Sequence, residues 1–575
     1  MKVESIRLPA IVCALALPLC ALAIRPVVEM GVNDDWSYIK TVQILAQTGH
    51  IVYNGWATAM LGWQLYLGAL FVKMFGFSFT SVRLSMLLVA MAIAFLTQRT
   101  MVRAGLSDWN AALGTLVIVT SPLFLPLAFS FMTDVTGLFS IVLCLYACIR
   151  ALQAETDRAA FAWLCFAALS NAISGTARQI AWLGVLVMVP STLWLLRKRP
   201  RFLLGGSVLY IISVAFIFAS NHWFHQQPYS VPESIIDRLT LHTSLNIPRN
   251  LVRGSLNTLL YLLPVLLLFI PEIRRVNRRS MWFFVTGCGL FVLYCLIQAH
   301  RGVLMWCLAP YLGNYVTMYG FMDDLWFRGR PIVLSVGVRL FVSSLLMASI
   351  FSLLALLFSR IKTSYPPPDD SSHLSLSSLR WLIVPFSAAY LLLTMPRAAF
   401  RPDFFFDRYL LPIQLMILIL ILRFYQDRLR PRIPAITLLP IAIFALFGIA
   451  GTHDIFAVLR ARLAAVQELQ SAGIPTTAID GGFGFDGWTQ IEKAGFINDP
   501  HIPIRPGDRF YPPKTSFGVC RPSFLDNFSA LSMRYSIAYT PQSCLGQAPF
   551  APVTARTWLG PHYTTVYIVN IGPSK

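Results

Sequence analysis

Two adjacent carboxylates, Asp34 and Asp35, follow shortly after the first apolar segment of the chain. A pair of acids can do general acid-base chemistry, in which one carboxylate accepts the proton of an attacking hydroxyl group. The second acid can hold a divalent metal ion or orient the acceptor. A structural explanation is also open, because an acid just before a helix can cap its first turn while its neighbour is solvated.

Further charged residues are expected at the same end of the apolar segments. Asp134 lies between two of these segments and Arg178 between two others, whereas Arg83 begins a segment and Arg408 closes the basic stretch 396–408. Guanidinium groups suit the recognition of phosphate. Acids and arginines beside lipid therefore indicate a substrate whose phosphate lies at the bilayer surface. Alternatively, each arginine extends to lipid headgroups.

The elements that must position these residues are membrane helices. The chain has 575 residues, of which 56% are hydrophobic and 13% charged, and a soluble protein could not bury so much apolar surface. Thirteen segments are predicted to span a bilayer, namely 8–24, 81–98, 111–130, 135–150, 160–174, 180–196, 203–220, 253–270, 281–299, 334–358, 380–395, 409–423 and 433–450.

The basic residues fix the orientation of these segments. With the N-terminus in the cytoplasm, each loop predicted to be cytoplasmic carries at least two basic residues, as the positive-inside rule requires. The net charge of +20 therefore indicates membrane orientation rather than binding of nucleic acid. We predict a multi-pass membrane protein with a cytoplasmic N-terminus and with the acids and arginines on the extracytoplasmic side.

The first extracytoplasmic loop is predicted to have a structure of its own. The apolar segment Met60–Phe77 is interrupted by polar residues, and counting it as a span would put the arginine clusters outside. We therefore predict a helix that lies on the outer membrane interface or is packed beneath it. The loop then runs over residues 25–80, and long structured loops commonly carry function. The apolar spacing over Trp36–Gln47 predicts a helix that ends at Gly49.

The composition changes after the last predicted span. Residues 1–450 are predicted to form the transmembrane domain, and residues 451–575, which are polar and rich in Gly and Pro, a small extracytoplasmic α/β domain. Its predicted elements are a helix over 456–470 and strands over 476–479 and 564–571. Cys520 and Cys544 lie in this domain and can pair in an oxidising compartment.

Several short segments, taken in order, resemble the GT-C fold glycosyltransferases. The group that they resemble most is the family 39-like group of protein O-mannosyltransferases and lipid A aminoarabinose transferases. The segments are Asp34–Tyr38, Phe75–Ser78 leading to Ser81–Leu84, Thr133 with Asp134, Thr176–Gln179 and Asp407–Pro412. Asp35 stands where Glu is usual, and Trp56–Met60 stands where a proline-rich stretch is common.

The resemblance implies a GT-C fold and an inverting transfer of a sugar from a polyprenyl-phosphate donor to an extracytoplasmic glycan, lipid or protein acceptor. It implies that Asp34 is the catalytic base and that Asp35 and Asp134 lie near the acceptor or hold a divalent metal such as Mg or Mn. The arginines that we assign to the donor phosphate are Arg83, Arg178 and Arg408.

Two other classes of protein stay open at this point. A transporter or flippase of lipid-linked glycans would need charged residues within its spans and often has repeated halves. A non-catalytic envelope assembly protein would tolerate replacement of Asp34. A polymerase or ligase of surface glycans is a neighbouring enzyme class, and the three histidines in the predicted outer segment 221–250 keep it open.

Overall fold

The structure is a computed structural model, and it describes residues 7–232, 241–322, 329–359, 374–400, 405–497, 528 and 530–572. The predicted pairing of Cys520 with Cys544 and part of the basic stretch 396–408 lie outside the described residues.

Helices make up most of the described chain. In chain order they are α1 (Leu8–Ile24), α2 (Asp35–Thr48), α3 (Gly62–Phe75), α4 (Phe79–Arg103), α5 (Asp108–Val119), α6 (Phe124–Ala128), α7 (Thr133–Leu152), α8 (Asp157–Ser174), α9 (Val189–Leu195), α10 (Pro200–His225), α11 (Leu241–Leu260), α12 (Leu263–Leu266), α13 (Arg278–His300), α14 (Val336–Phe358), α15 (Leu376–Phe400), α16 (Leu411–Arg428), α17 (Leu438–Ser471) and α18 (Phe483–Ala494).

The chain is a multi-pass membrane protein, as predicted. Among the described residues, nine helical segments are long and apolar enough to cross a membrane, or ten if the bent pair Asn246–Leu260 and Leu263–Arg275 is one span. Shorter apolar helices at Leu8–Ile24, Asp108–Val119 and Gln179–Leu195 occupy the other three predicted segments. The predicted count of thirteen spans is therefore not confirmed, although every predicted segment contains a helix.

The short helix α5 shows why the count differs. It has 12 residues and ends at Val119, which gives a length of about 18 Å against the ~30 Å of a bilayer core. Pro122 lies within the break between α5 and α6, and proline disfavours helical backbone in the residue before it. The predicted span 111–130 is consequently divided between α5 and α6.

The first loop has the elements that its sequence predicts. Helix α2 covers Asp35–Thr48 and ends at Gly49, whose φ of 77° is the left-handed conformation that glycine adopts freely. Helix α3 has 14 residues and does not qualify as a span among the described helices, consistent with its exclusion from the predicted spans.

The most buried helices begin at one end of the bundle. The share of buried residues within the most apolar stretch differs between the segments. This share is 83% for Asp407–Arg428 and 72% for Thr133–Leu152, but only 11% for Arg278–His300. Asp134 lies in the first turn of α7, and Arg408 lies in a 3-10 turn just before α16. Asp134 and Arg408, two of the residues predicted to carry chemistry, therefore lie at the start of the two most buried of these segments, while α13 is peripheral.

A small mixed sheet follows the last long helix. Helix α17 continues over 34 residues without a break, so the predicted boundary at residue 450 lies inside it. The strands are β1 (Val316–Thr317), β2 (Gly320–Phe321), β3 (Ile479–Asp480), β4 (Tyr535–Ala538), β5 (Val553–Arg556) and β6 (Tyr563–Asn570). Strands β1 and β2 form a separate hairpin, and the C-terminal sheet has the order β3-β4-β6-β5. Only the β3–β4 pair is parallel, and α18 lies in the connection between these two strands.

Candidate functional site

Asp34 lies at the start of α2, but its carboxylate does not cap the helix. The side chain makes no capping hydrogen bond. Instead, Oδ1 accepts a hydrogen bond of 3.0 Å from the indole nitrogen of Trp56, and Oδ2 accepts one of 3.2 Å from Nη2 of Arg408. The side chain is 18% exposed. Helix capping therefore does not explain this acid.

Asp35 has a different environment, because it forms a closed ion pair with Arg83. Nε of Arg83 lies 2.8 Å from Oδ2 and Nη2 lies 3.1 Å from Oδ1. The backbone amides of Val32 and Phe131 also donate to the Asp35 carboxylate. The remaining donors of Arg83 bind the carbonyl oxygens of Val28 and Met30.

This closed pair ties the first loop to α4 and to the chain before α7. The Asp35 side chain is fully buried and that of Arg83 is 3% exposed. Each nitrogen of the Arg83 guanidinium has at least one acceptor within the protein, and both oxygens of Asp35 accept hydrogen bonds from Arg83 and from a backbone amide. The structure thus pairs Arg83 with Asp35, whereas Arg178 and Arg408 pair with Asp134 and Asp34.

Asp134 and Arg178 form the second ion pair of the site. Nη1 of Arg178 lies 2.8 Å from Oδ1 of Asp134 and also donates to the hydroxyl of Thr133. Arg178 lies between two short 3-10 turns, and its side chain packs against α7 beside Gly137. A Cβ atom at Gly137 would lie 2.8 Å from Cδ of Arg178, so glycine is required there for this approach.

Arg408 joins the two acids. Its Nη2 binds Asp34, and its Nε lies 4.0 Å from Oδ2 of Asp134, which is too long for a hydrogen bond. Within the described residues, Nε and Nη1 of Arg408 and Oδ2 of Asp134 are buried without a hydrogen-bond partner. Buried polar groups are normally paired, so these open donors are where a ligand with acceptor oxygens can bind.

Aromatic rings surround the two arginines. The guanidinium carbons of Arg178 and Arg408 lie 5.4 Å and 5.6 Å from the ring centre of Tyr409, and Phe406 faces Arg408 at 5.1 Å. Such contacts hold a guanidinium plane without using its N–H donors. Phe406 and Tyr409 therefore help to hold the guanidinium groups of the site in place.

Asp407 is a positioning residue that the sequence analysis did not single out. Its buried carboxylate accepts hydrogen bonds from the hydroxyl of Tyr261 and from the backbone amides of Tyr315 and Val316. The turn that carries Arg408 is therefore fixed to the loop before β1. The segment 407–412 contains this acid, but nothing in the sequence shows that its partners lie between 91 and 146 residues earlier.

Two buried tyrosines lie close to the same charges. Burial raises the pKa of Tyr38 well above its ordinary value, and the nearby Asp34 carboxylate raises it further. Burial likewise raises the pKa of Tyr315. Both phenols therefore stay neutral at physiological pH and can act only as hydrogen-bonding groups. Tyr38 was part of the motif but had no predicted role.

The C-terminal helix α18 packs against the loop that carries Asp34. Phe483 lies with its ring centre 5.4 Å from Trp36 and 5.2 Å from Trp56. A Cβ atom at Gly487 would lie 2.6 Å from the Trp36 ring. Trp56 is the donor to Asp34, so the C-terminal region supports the site through this aromatic cluster. No local sequence signal predicts the contact.

The acids present do not fit a divalent metal ion. Both oxygens of Asp35 accept from Arg83 and a backbone amide, and Oδ1 of Asp134 pairs with Arg178, which leaves Oδ2 of Asp134 as a single unpaired oxygen between the two acids predicted to hold a metal. No cluster of three or more His, Cys, Asp or Glu side chains with metal-site geometry occurs in the part of the chain that the structure describes. A site for Mg or Mn needs several oxygen ligands that are not paired with cations. The metal predicted at Asp35 and Asp134 accordingly enters no step below.

Comparison with known proteins gives neighbours by structure but not by sequence. No protein-family model matches the chain, and no curated protein matches it. One structural neighbour is the S. cerevisiae protein O-mannosyltransferase Pmt1-Pmt2 complex bound to the sugar donor, with 13% identity and a TM-score of 0.32; the match covers 39% of this chain and 34% of that one.

The other neighbours are two structures of ArnT from Cupriavidus metallidurans. The apo state matches with 13% identity and a TM-score of 0.36 over 80% of each chain. The undecaprenyl phosphate-bound state matches with 13% identity and a TM-score of 0.35 over 99% of each chain. These neighbours are GT-C fold glycosyltransferases, the group that the sequence motifs resemble. At such low TM-scores no argument about function rests on them.

Proposed function

We propose that this protein is an integral membrane glycosyltransferase. It transfers a sugar from a polyprenyl-phosphate donor to a hydroxyl group of an extracytoplasmic glycan, lipid or protein, with inversion at the anomeric carbon. The observation that carries the proposal is the connected group Asp34–Arg408–Asp134–Arg178, in which a partly exposed carboxylate adjoins a buried arginine with open donors.

The arginines supply the donor phosphate site. Nε and Nη1 of Arg408 are the open donors, and guanidinium N–H groups form strong, charge-assisted hydrogen bonds to phosphate oxygens. Burial strengthens this interaction because the local dielectric constant is low. Arg178 lies across Asp134 from Arg408 and adds a second positive charge.

Asp34 is the proposed general base. Of the three acids predicted at the site, its side chain is 18% exposed, against 0% for Asp35 and 3% for Asp134. An acceptor hydroxyl can therefore reach Asp34 and no other of these carboxylates. The indole N–H of Trp56 holds Oδ1, which fixes the orientation of the carboxylate.

The proposed step exchanges one glycosidic bond for another. The acceptor oxygen forms a bond to the anomeric carbon, and its proton passes to Asp34. The bond from that carbon to the phosphate oxygen breaks, and the polyprenyl phosphate leaves with the electron pair and an additional negative charge. Arg408 and Arg178 stabilise that charge. Attack opposite the leaving phosphate inverts the configuration.

The proposed location follows from the same arrangement. We place the chain in the inner membrane with its N-terminus in the cytoplasm, so that the Asp34 end of the bundle faces the extracytoplasmic side. Support comes from the basic residues of the predicted cytoplasmic loops. A polyprenyl chain would then lie in the bilayer while its phosphate reaches the arginines.

The test is a complementation assay with Asp34→Asn, which replaces one carboxylate oxygen by an amide NH2 group. The gene is deleted in its host, and wild-type or Asp34→Asn protein is restored at equal membrane levels. Loss of a general base typically lowers the rate by about 10²–10⁴-fold. We expect wild type to restore a sugar that mass spectrometry of the surface glycans finds missing, and Asp34→Asn to leave it missing.

The matched control is Asp157→Asn. Asp157 also pairs with an arginine, Arg199, at 3.2 Å, but it is 58% exposed and lies outside the site. This variant should restore the sugar fully. Equal restoration by Asp34→Asn would refute the enzyme and favour a transporter or an assembly protein. An accumulated sugar-loaded lipid in the Asp34→Asn strain would support transfer as the blocked step.

A further inference from the structure

A second cationic site lies at the same end of the molecule, outside the Asp34 group. A cavity of about 630 Å³ opens between the end of α1, the middle of α17 and strand β5. Arg25, His453, Arg460 and Arg556 lie on its walls together with apolar residues of α1 and α17. We call this cavity the arginine groove. It shares no residue with the proposed glycosyltransferase site.

The arginine groove carries positive charge that the described protein does not balance. None of Arg25, Arg460 and Arg556 forms an ion pair with a carboxylate among the described residues. Nη1 of Arg460 donates to the carbonyl oxygen of Arg25 at 2.8 Å, which holds two of these cations next to each other. Adjacent like charges are unfavourable unless an anion lies between them.

Within the described chain, Asp454, the acid next to His453, binds backbone amides and none of the three arginines. The carboxylate of Asp454 accepts hydrogen bonds from the backbone amides of Trp558 and Leu559, at 2.8 Å and 2.9 Å. It therefore fixes the chain after β5 to α17. His453, next to it, stacks on the Trp558 ring at 4.0 Å. These contacts build a wall of the groove and leave the three arginines to face an external anion.

Exposed apolar stripes lead from the helices to the groove. On α1, Leu15, Leu19 and Leu22 are 48%, 66% and 75% exposed, and this stripe ends at Arg25. On α17, Leu439, Ile443 and Leu446 are 58%, 60% and 64% exposed. Each set recurs at helical spacing and therefore lies on one face of its own helix. An exposed apolar face of this kind is typical of a helix surface that contacts acyl chains.

The distances along α17 place the groove at headgroup level. His453 is seven residues beyond Leu446, or about 10 Å at the helical rise of ~1.5 Å per residue. Trp558, which is 47% exposed, lies beside it, and tryptophan commonly occupies the interface of a membrane. A lipid whose chains cover the stripes thus brings its phosphate to Arg25 and Arg460.

We propose that the arginine groove binds the headgroup of an anionic phospholipid, as a lipid site separate from the sugar-transfer site. Charge complementarity selects an anion, and the apolar stripes select a lipid over a soluble phosphate. The lipid would join α1 to α17 and β5, and so link the first span to the C-terminal sheet. The proposal does not depend on the glycosyltransferase activity.

The test is native mass spectrometry of the full-length protein in detergent. Delipidated protein is titrated with phosphatidylglycerol or phosphatidylcholine, and the variant is Arg25→Gln combined with Arg556→Gln, both of which replace exposed side chains. We expect wild type to prefer phosphatidylglycerol. The variant should lose about fivefold in affinity for each arginine, since one arginine near an anionic lipid contributes about 1 kcal/mol.

The matched control is Arg534→Gln, an exposed arginine of the same C-terminal region that does not line the groove. It should bind phosphatidylglycerol like wild type. Equal binding of both lipids by wild type, or unchanged binding by the double variant, would overturn the proposal. So would displacement of phosphatidylglycerol by millimolar inorganic phosphate, because the groove would then be a site for a soluble anion. An unchanged melting temperature of the variant shows that its fold is intact.

Discussion

Asp34 and Asp35 are neighbours in the sequence, and their carboxylates have opposite surroundings in the structure. Asp35 is fully buried, and each of its oxygens accepts from both Arg83 and a backbone amide. Asp34 keeps 18% exposure and pairs with Arg408, whose other donors are open. A closed ion pair such as Asp35–Arg83 therefore holds a loop in place, whereas an open pair such as Asp34–Arg408 has hydrogen-bond donors left to bind a substrate.

The largest expected effect is on the closed pair. Asp35→Asn leaves Arg83 buried with an uncompensated charge, which typically costs about 3–5 kcal/mol. We expect a large drop in melting temperature in detergent, while Asp34→Asn melts like wild type.

A double variant sharpens this result. Asp35→Asn combined with Arg83→Met removes both charges, and it should regain part of the lost stability because no charge is left unpaired. A wild-type melting temperature for Asp35→Asn alone would contradict a structural role for the closed pair.

The second prediction concerns the open pair. Arg408→Lys keeps the charge but loses the fork, so hydrogen bonds to the donor phosphate are lost. A hydrogen bond to a charged group contributes about 1.5–3 kcal/mol, so transfer should slow about ten- to a hundredfold. Initial rates at several donor concentrations would measure this. An unchanged rate for Arg408→Lys would remove Arg408 from the site.

The third prediction tests how Asp34 is held. Trp56→Phe keeps an aromatic ring beside Phe483 but removes the N–H that binds Oδ1 of Asp34. A single hydrogen bond contributes about 0.5–1.5 kcal/mol, which corresponds to a loss of rate of about two- to tenfold. The loss should appear in kcat rather than in the KM for the donor. A changed donor KM with normal kcat would place Trp56 at the donor instead.

The smallest effect is expected at a buried acid without a closed pair. Burial, followed by repulsion from Asp480, raises the pKa of Asp486 well above its ordinary value. The fold therefore favours the protonated form of this carboxyl. It stabilises the protein fully below its unfolded pKa of about 3.9, and this contribution is lost as the pH rises through the higher folded pKa.

Asp486→Asn should consequently be at least as stable as wild type at neutral pH, in contrast to Asp35→Asn, because the fold favours an uncharged side chain at this position. The amide oxygen can still accept the hydrogen bond from the Gly481 amide that Oδ1 of Asp486 accepts. Melting curves of wild type and Asp486→Asn, recorded between mildly acidic and alkaline pH, would measure this difference. The melting temperature of wild type should fall more than that of the variant as the pH rises. A large loss for Asp486→Asn at neutral pH would show that the carboxyl is ionised.

The helices could be predicted from the sequence because their signals are local. Every predicted span contains a helix in the structure, and α2 ends at Gly49 as predicted. These predictions used the length of apolar segments, the positions of proline and glycine, and the charge of the loops. The number of spans was not predictable in this way, because a bent pair and broken short helices have the composition of full spans.

The site was predictable in part. Asp34, Asp134, Arg178 and Arg408 were chosen from residue type and position, and the structure brings them together. Arg83 was chosen on the same grounds, but the structure gives it to Asp35. Sequence position could not show that Arg83 pairs with Asp35 while Arg408 pairs with Asp34. Both arginines adjoin apolar segments at the same end of the bundle.

Repeated membrane crossing, and acids and arginines at one end of the helices, follow from the amino-acid sequence alone. Hydropathy and charge are properties of each residue, so they can be read along the chain. The pairing of each acid with its arginine is visible only in the folded protein, and so is the contact of Phe483 with a loop more than four hundred residues earlier in the chain. Those contacts depend on distances of a few ångströms between remote segments, and packing alone sets such distances.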